Sequence, residues 1–182
     1  MRLALALALL AAPALAQQGG ADPAPQGETN PEELTLQSAI EKARRGEVDM
    51  VVCASGYFIT KWGHHAEARE VFEACAEAGY AAAMTWMSQM EDNGLGGPED
   101  PEAAAEWSRR AAATGDPVGE LNYGLALLRG RGVEQDEAAG RAMVDRAAAQ
   151  GLDDAVRLKG AGYDPAEVTP DADEPRYAPK LF

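Results

Sequence analysis

Residues 115–151 read GDPVGELNYGLALLRGRGVEQDEAAGRAMVDRAAAQG, which is two helical patterns on either side of a glycine-rich turn. The same arrangement precedes this segment, because Gly79, Gly115 and Gly151 are spaced by 36 residues. A fixed period of this length, built from two helices and two turns, is typical of a helical solenoid. In such a fold each helix pair covers its apolar side with the next pair. The sequence therefore predicts an all-α protein.

The period divides the chain into helix pairs. We predict units at about residues 46–78, 79–114 and 115–150, with capping helices at 31–45 and 153–160. The first unit is shorter than the others, and the missing residues fall in the turn around Trp62. Apolar residues at helical spacing predict the buried faces. These residues are Ala68, Val71, Phe72 and Cys75; Ala83, Met87 and Met90; Leu121, Leu125 and Leu128; and Ala139, Ala142, Met143 and Ala147.

Both ends of the chain are predicted to lie outside these repeats. Residues 1–16 have a positive start at Arg2, an apolar run and the small-x-small site Ala14-Leu15-Ala16, which are the features of a signal peptide. The run is too short to span a membrane. Residues 17–30 are predicted to be a flexible leader, and residues 161–182 a C-terminal tail. We therefore expect an exported protein, most simply periplasmic, without membrane insertion.

The composition is acidic, with 30 Asp and Glu residues against 16 Lys and Arg residues and a formal charge of −14. Such a surface repels nucleic acid and anionic lipid, so we expect neither as a partner. It favours solubility and association with basic partners. Aromatic residues make up only 6% of the chain while alanine is abundant, which suits closely packed helices better than a β-sandwich.

The turns and helices of the second and third units resemble the SEL-one-like repeat, a relative of the tetratricopeptide repeat. The matching positions are Ala83, Gly94, Gly96, Asp100, Ala103, Trp107, Ala111-Ala112 and Gly115 in one unit, and Tyr123-Gly124, Gly130, Gly132-Val133, Asp136, Ala139, Ala147-Ala148 and Gly151 in the next. The first unit lacks the Gly-x-Gly-Val turn. The resemblance covers about residues 31–160 and implies a right-handed α-solenoid of antiparallel helix pairs. It also implies protein binding and adaptor roles, which relatives in bacterial envelopes have in signalling or assembly complexes.

Cys53 and Cys75 fall on the two helices of the first unit. Two cysteines in an exported protein usually form a disulfide. Antiparallel neighbouring helices can bring the two Cα atoms within the required distance of about 4.4–6.8 Å. The cysteine-rich branch of the SEL-one-like family ties its helix pairs together in this way, which implies the same pairing here. The alternative is two separate buried thiols.

The sequence shows no motif that carries chemistry. It contains no Gly-x-Ser-x-Gly, no Gly-x-x-x-x-Gly-Lys and no His-Glu-x-x-His. His64 and His65 are adjacent, and on a helix they would point about 100° apart, which is poorly suited to binding one metal ion. Asp100, Asp116 and Asp153 stand at predicted helix starts, where a carboxylate caps backbone amides. We therefore predict no catalytic residue, no metal site and no cofactor.

The leading hypothesis is a periplasmic helical-repeat protein that binds an envelope protein or peptide along a concave face, in an adaptor or regulatory role. In relatives the first helix of each pair lines that face. The resemblance therefore indicates, as candidate partner-binding residues, Tyr57, Trp86, Gln89, Asn122 and Tyr123. For Trp86, packing between units is the alternative. Two further hypotheses are a cell-wall or β-lactam-directed enzyme, by family analogy alone, and a structural spacer. The partner's identity and the oligomeric state stay open.

Overall fold

Eight α-helices and no β-strand make up residues 35–168, the part of the chain that the computed structural model describes. The helices are α1 (Leu36–Arg44), α2 (Met50–Lys61), α3 (His65–Glu77), α4 (Ala81–Asp92), α5 (Pro101–Ala113), α6 (Pro117–Arg129), α7 (Glu137–Ala149) and α8 (Asp153–Gly160). The predicted signal peptide, the leader, the start of the first capping helix and residues 169–182 of the tail lie outside the described residues. Within residues 35–168, no helix is both long enough and apolar enough to cross a lipid bilayer.

The helices form successive pairs. We call α2, α4 and α6 the first helices of the pairs, and α3, α5 and α7 the second helices. Every helix contacts the next one along the chain; in addition α1 contacts α3, and α4 contacts α6. The apolar cores run through these contacts, one from α1 to α5 and another from α6 to the end of the described chain. The α-solenoid predicted from the 36-residue period is therefore confirmed.

Four aspartates begin helices by the same hydrogen bond. The carboxylate oxygens of Asp49, Asp100, Asp116 and Asp136 accept from the backbone N–H three residues later, at 2.8, 3.0, 2.7 and 2.9 Å respectively. Such caps satisfy amides that the helix cannot pair internally, and their negative charge is favourable at the positive end of the helix. The capping role predicted for Asp100 and Asp116 is confirmed. The one predicted for Asp153 is wrong, because the cap of α8 is Leu152 and no side chain caps this helix.

Small residues let the two helices of a pair approach closely. A Cβ atom built on Gly124 of α6 would lie 3.0 Å from the carbonyl oxygen of Gly140 of α7. The buried stripe of α7 therefore runs through Gly140, Val144 and Ala147. The predicted inward position of Ala142 is wrong, because this residue is exposed. Alanine occurs on both faces of α7, so its spacing did not reveal that the glycine sets the contact.

Two turns pack against the preceding helix pair through a glycine. A Cβ atom on Gly96 would lie 2.5 Å from the carbonyl oxygen of His65, and one on Gly132 would lie 1.8 Å from the carbonyl oxygen of Pro101. The two glycines are 36 residues apart, as are the two carbonyls, so this contact repeats with the period of the sequence. Both glycines also have positive φ, +75° and +67°. These turns therefore set the spacing between successive pairs.

The residues after α8 close the end of the last pair. Val168 is only 4% exposed and belongs to the core cluster formed with apolar residues of α6, α7 and α8. The hydroxyl of Tyr163 donates to the carboxylate of Asp145 at 2.8 Å. The guanidinium of Arg129 donates to the carbonyl oxygens of Pro165 and Val168 at 2.6 and 2.7 Å. The chain therefore leaves the described region directly beside Arg129.

Candidate partner-binding surface

The outward sides of α2, α4 and α6 form a surface that we call the first-helix face. Helix α4 contacts α6, and the ring of Tyr57 on α2 lies 5.7 Å from the ring of Trp86 on α4. The first-helix face consists of exposed or half-buried residues, namely Met50, Ala54, Tyr57, Phe58, Lys61, Trp86, Gln89, Asn122, Ala126 and Arg129. Four of the five candidate binding residues are among them.

Trp86 connects the core with the aromatic end of this face. Its ring stacks on the buried ring of Phe72 with centroids 5.3 Å apart and planes 3° from parallel. The ring of Tyr57 meets Trp86 at an angle of 63°, and Phe58 lies 5.5 Å from Tyr57. Both arrangements are favourable for aromatic pairs. Trp86 therefore combines packing between units with partial exposure at the face.

Helix α2 exposes more apolar surface than the sequence analysis anticipated. Met50 is 76% exposed, Val51 62% and Phe58 54%. Between Met50 and Ile59 the side chains are apolar except for Ser55 and the hydroxyl of the tyrosine, so the helix has no polar face to turn toward water. A helix that is apolar all round is normally buried or covered. The almost wholly apolar composition of α2 is the sequence feature from which these additional surface residues could have been predicted.

A small notch between α4, α5 and α6 forms the polar end of the face. Gln89 and Asn122 both line it, and its volume of about 40 Å³ suits a water-sized group. Two further lining residues, Ser88 and Ser108, are buried and share a hydrogen bond of 2.7 Å between their hydroxyls. Because each amide side chain offers both a donor and an acceptor, Gln89 and Asn122 can each form hydrogen bonds with a peptide group.

The buried hydroxyl pair leads to a prediction of non-additive mutations. Ser88→Ala or Ser108→Ala alone leaves one buried hydroxyl without its partner, so we expect each to lower the free energy of unfolding by about 1–2 kcal/mol. The double variant removes both polar groups and is expected to cost no more than either single variant. Urea unfolding of the four proteins measures this coupling. A double variant whose loss equals the sum of the two single losses would contradict it.

Tyr123 is the candidate residue that lies apart from the other four. Asn122 lines the notch and Tyr123 does not. Tyr123 instead lies close to Arg109 of α5, where it adds a small contribution to the raised pKa of that guanidinium after the main effect of the hydrogen bond to Glu106. The structure thus brings Tyr57 to Trp86 and Gln89 to Asn122, and it places Tyr123 on the α5 side of α6.

Acidic residues are concentrated on the second helices. Within their bounds, α3, α5 and α7 contain eight Asp and Glu residues. The first helices contain only Glu91, Asp92 and Glu120, which are ion-paired with Arg69, Arg131 and Arg146 respectively. The acidity expected from the composition therefore does not extend to the first-helix face.

Arg129 provides a positive group at the polar end. Among the described residues its side chain has no ion pair, and its recorded partners are the carbonyl oxygens of Pro165 and Val168. Burial lowers the pKa of Arg129, with a smaller opposing effect of Asp92. Arg129 also lines the notch with Gln89 and Asn122. A guanidinium held in this way is well placed to donate hydrogen bonds to a carboxylate of a ligand.

Cys53 of α2 and Cys75 of α3 lie at bonding distance in the first pair. Their sulfur atoms are 2.08 Å apart and their Cα atoms 5.8 Å apart. The Cα separation falls within the range of about 4.4–6.8 Å that a disulfide requires. The link joins α2, which carries the exposed apolar residues, to a second helix whose Cys75 is fully buried.

The stacked helix pairs and their exposed first-helix face define the class of the protein, an α-solenoid of helical repeats. The Sel1 repeat model matches residues 81–116 and 117–152, two segments of equal length that follow the 36-residue period. The chain therefore contains two Sel1 repeats. Repeats of this kind generally mediate protein–protein interaction.

Solved structures of Sel1-like repeat proteins share the fold. One is a Sel1 repeat protein from Oxalobacter formigenes, with a TM-score of 0.61 and 17% identity over 78% of this chain and 59% of that one. A second is a protective antigen of uropathogenic Escherichia coli with an SLR fold. Its TM-score is 0.51 and its sequence identity 20%, over 75% of this chain and 36% of that one. A third is cysteine rich protein B of Helicobacter pylori. Its TM-score is 0.54 and its sequence identity 21%, over 71% of this chain and 97% of that one. The chain thus spans less than two thirds of the first two proteins.

Proposed function

We propose that this chain is an exported, non-catalytic repeat protein that binds a polypeptide partner on its first-helix face, in an adaptor or regulatory role in the cell envelope. The observation that carries the proposal is the exposed apolar side of α2, where Met50 is 76% and Phe58 54% exposed. Contiguous apolar surface on a soluble protein usually marks an interaction site. A structural spacer has no need of such a surface, which favours binding over that alternative.

The chemistry of the first-helix face favours an extended peptide or protein segment. The rings of Tyr57, Phe58 and Trp86 offer an apolar anchor site, and aromatic residues of this kind dominate many interface energies. Gln89 and Asn122 can pair with backbone groups of the bound segment. Together these residues distinguish an apolar end and a polar end, so they would also fix the direction of the bound segment.

The charge of the face bears on the charge of the partner. Composition alone favours a basic partner. The carboxylates of the first helices are already paired, whereas Arg129 has no ion pair among the described residues. A partner that meets this face is therefore expected to present apolar or aromatic side chains and a carboxylate near Arg129.

Export is supported by the paired cysteines. Disulfides persist in oxidising compartments and are rare in the cytosol. The Cys53–Cys75 link therefore agrees with the signal peptide expected from residues 1–16. The simplest location that satisfies both is a bacterial periplasm. Fractionation of cells that express the tagged chain, with the tag placed after residue 182, tests this part of the proposal.

Binding is tested by truncating an exposed ring. Peptides are selected from a random display library on the purified protein, and one selected peptide is labelled with fluorescein. We expect Phe58→Ala to weaken its binding at least tenfold, because truncating an aromatic anchor at an interface typically costs about 2 kcal/mol or more. Fluorescence anisotropy measures the dissociation constants.

Val156→Ala is the matched control for this experiment. Val156 is 51% exposed, close to the 54% of Phe58, but it lies on α8, outside the first-helix face. The control should bind as the parent does. Equal binding by all three proteins, or equal losses in both variants, would show that the selected peptide does not use this face. The proposal would then fail.

A further inference from the structure

We propose that residues 169–182 of the same chain occupy the first-helix face, where their carboxylates meet Arg129 and their apolar residues reach the rings of α2 and α4. This inference rests on the proposed function, because it requires the face to be a peptide site. It goes further by naming one occupant. An external partner would have to displace this segment before it could bind.

The point where the segment starts is the first argument. Val168 is buried, and its carbonyl oxygen accepts a hydrogen bond of 2.7 Å from Arg129. Arg129 lines the notch that Gln89 and Asn122 also line. The described chain therefore ends, at Val168, beside the polar end of the first-helix face.

Charge complementarity is the second argument. Residues 169–182 read TPDADEPRYAPKLF, with three acids first and aromatic and aliphatic residues after them. Asp171 is the third residue after Val168, whose carbonyl oxygen accepts a hydrogen bond from Arg129, and Arg129 has no ion pair among the described residues. A carboxylate beside this half-buried guanidinium would offset the cost of burying its charge. The order of the segment thus matches the face, from its positive end toward its aromatic end.

Reach is the third argument. Extended chain spans at most about 3.3–3.6 Å per residue, so Tyr177, nine residues after Val168, can lie about 30 Å away. The ring of Tyr57 on α2 lies 5.7 Å from the ring of Trp86 on α4, and α4 contacts α6, so one helix about 10–12 Å across separates these rings from α6. The segment is therefore long enough to place Tyr177 or Leu181 against the exposed rings of Tyr57 and Phe58. A segment joined so closely acts at an effective concentration of about a millimolar or more.

The test compares two proteins with one labelled peptide. One protein is the intact chain, and the other has residues 171–182 replaced by alternating Gly and Ser at equal length. The probe is a fluorescein-labelled peptide of residues 169–182, and anisotropy measures binding. We expect the replaced chain to bind the peptide at least tenfold more tightly, because its face is vacant. Equal affinities, or no binding to the replaced chain, would overturn the proposal.

Two altered peptides test the contact with Arg129. A peptide with Asp171→Asn, Asp173→Asn and Glu174→Gln should bind the replaced chain at least tenfold more weakly. The matched control, with Arg176→Gln and Lys180→Gln, should change the affinity less than threefold. Non-specific attraction to the acidic protein gives the opposite order, because loss of the acids would then strengthen binding. That order would overturn the proposal.

A photoreactive residue at position 177 of the intact chain separates occupation by the same chain from occupation by a second copy. Cross-links to residues 50–61 or 81–92 in a product with the mass of one chain support the proposal, and a two-chain product overturns it. The display peptides provide the remaining distinction. If they bind through Phe58 while the 169–182 peptide does not bind, only this inference fails. If neither kind of peptide depends on Phe58, the proposed function fails as well.

Discussion

Gly132→Ala is expected to lower the free energy of unfolding by about 3–5 kcal/mol. Two costs combine at this position. The residue has φ of +67°, which an L side chain adopts only with strain of about 1–2 kcal/mol. In addition, the new Cβ would lie 1.8 Å from the carbonyl oxygen of Pro101. That partner is backbone at the start of a helix, so relief requires the third pair to move away from the second.

Gly151→Ala is the matched control. Its φ is +87°, but a Cβ there would meet nothing within 4 Å. It therefore pays the backbone strain alone, about 1–2 kcal/mol. Urea unfolding followed by circular dichroism compares both variants with the parent. Equal losses in the two variants would show that the close approach at Pro101 does not set the spacing of the pairs.

The repeat could be predicted from the sequence because equivalent glycines make the same contact in successive units. Gly96 and Gly132 meet the starts of α3 and α5, and both the glycines and their partners follow the 36-residue period. The Asp caps follow the same period, since Asp100 and Asp136 are also 36 residues apart. Turn chemistry and capping act locally, so they leave a clear pattern in one sequence.

The buried face of α7 was harder to predict for a physical reason. Alanine is small enough to lie inside or outside, so an alanine-rich helix has a weak apolar stripe. Here the close approach of Gly140 to Gly124 decides the face, and it turns Ala142 outward while Val144 becomes fully buried. A contact that depends on the absence of a side chain gives no hydrophobic signal.

The residues of the candidate binding surface could be predicted only in part from the sequence, for a related reason. Family resemblance indicated the first helices, but it could not show that the hydroxyls of Ser88 and Ser108 meet or that Arg129 holds the carbonyl oxygen of Val168. Those contacts join residues far apart in the chain. The exposed side of α2 was not predicted, although its composition was a signal, since a helix without polar residues between Val51 and Ala54 needs a cover. The net charge of the chain did not predict the charge of the first-helix face, because it does not show which helices carry the acidic residues.

Removal of the Cys53–Cys75 link is expected to lower the free energy of unfolding by about 3 kcal/mol. The two cysteines are separated by 22 residues, and closing a loop of this length restricts the unfolded chain by about that amount. The variant is the double change Cys53→Ala and Cys75→Ala. Alanine fits position 75, because Ala111 and Ala147 lie 36 and 72 residues further on and are as fully buried as Cys75. The loss therefore reports the cross-link more than the packing.

The location of the loss is as informative as its size. In a solenoid each pair contacts mainly its neighbours, so weakening one pair opens that end first. Hydrogen exchange should therefore rise in α1 to α3 and stay nearly unchanged in α6 to α8. Because Tyr57 and Phe58 follow Cys53 on α2, the same variant should bind display-selected peptides more weakly. The parent protein under reducing conditions is the control and should show the same exchange pattern. Unchanged exchange in α2, or a stability loss below about 0.5 kcal/mol, would mean that helix packing alone holds the first pair and that the link is dispensable for the binding surface.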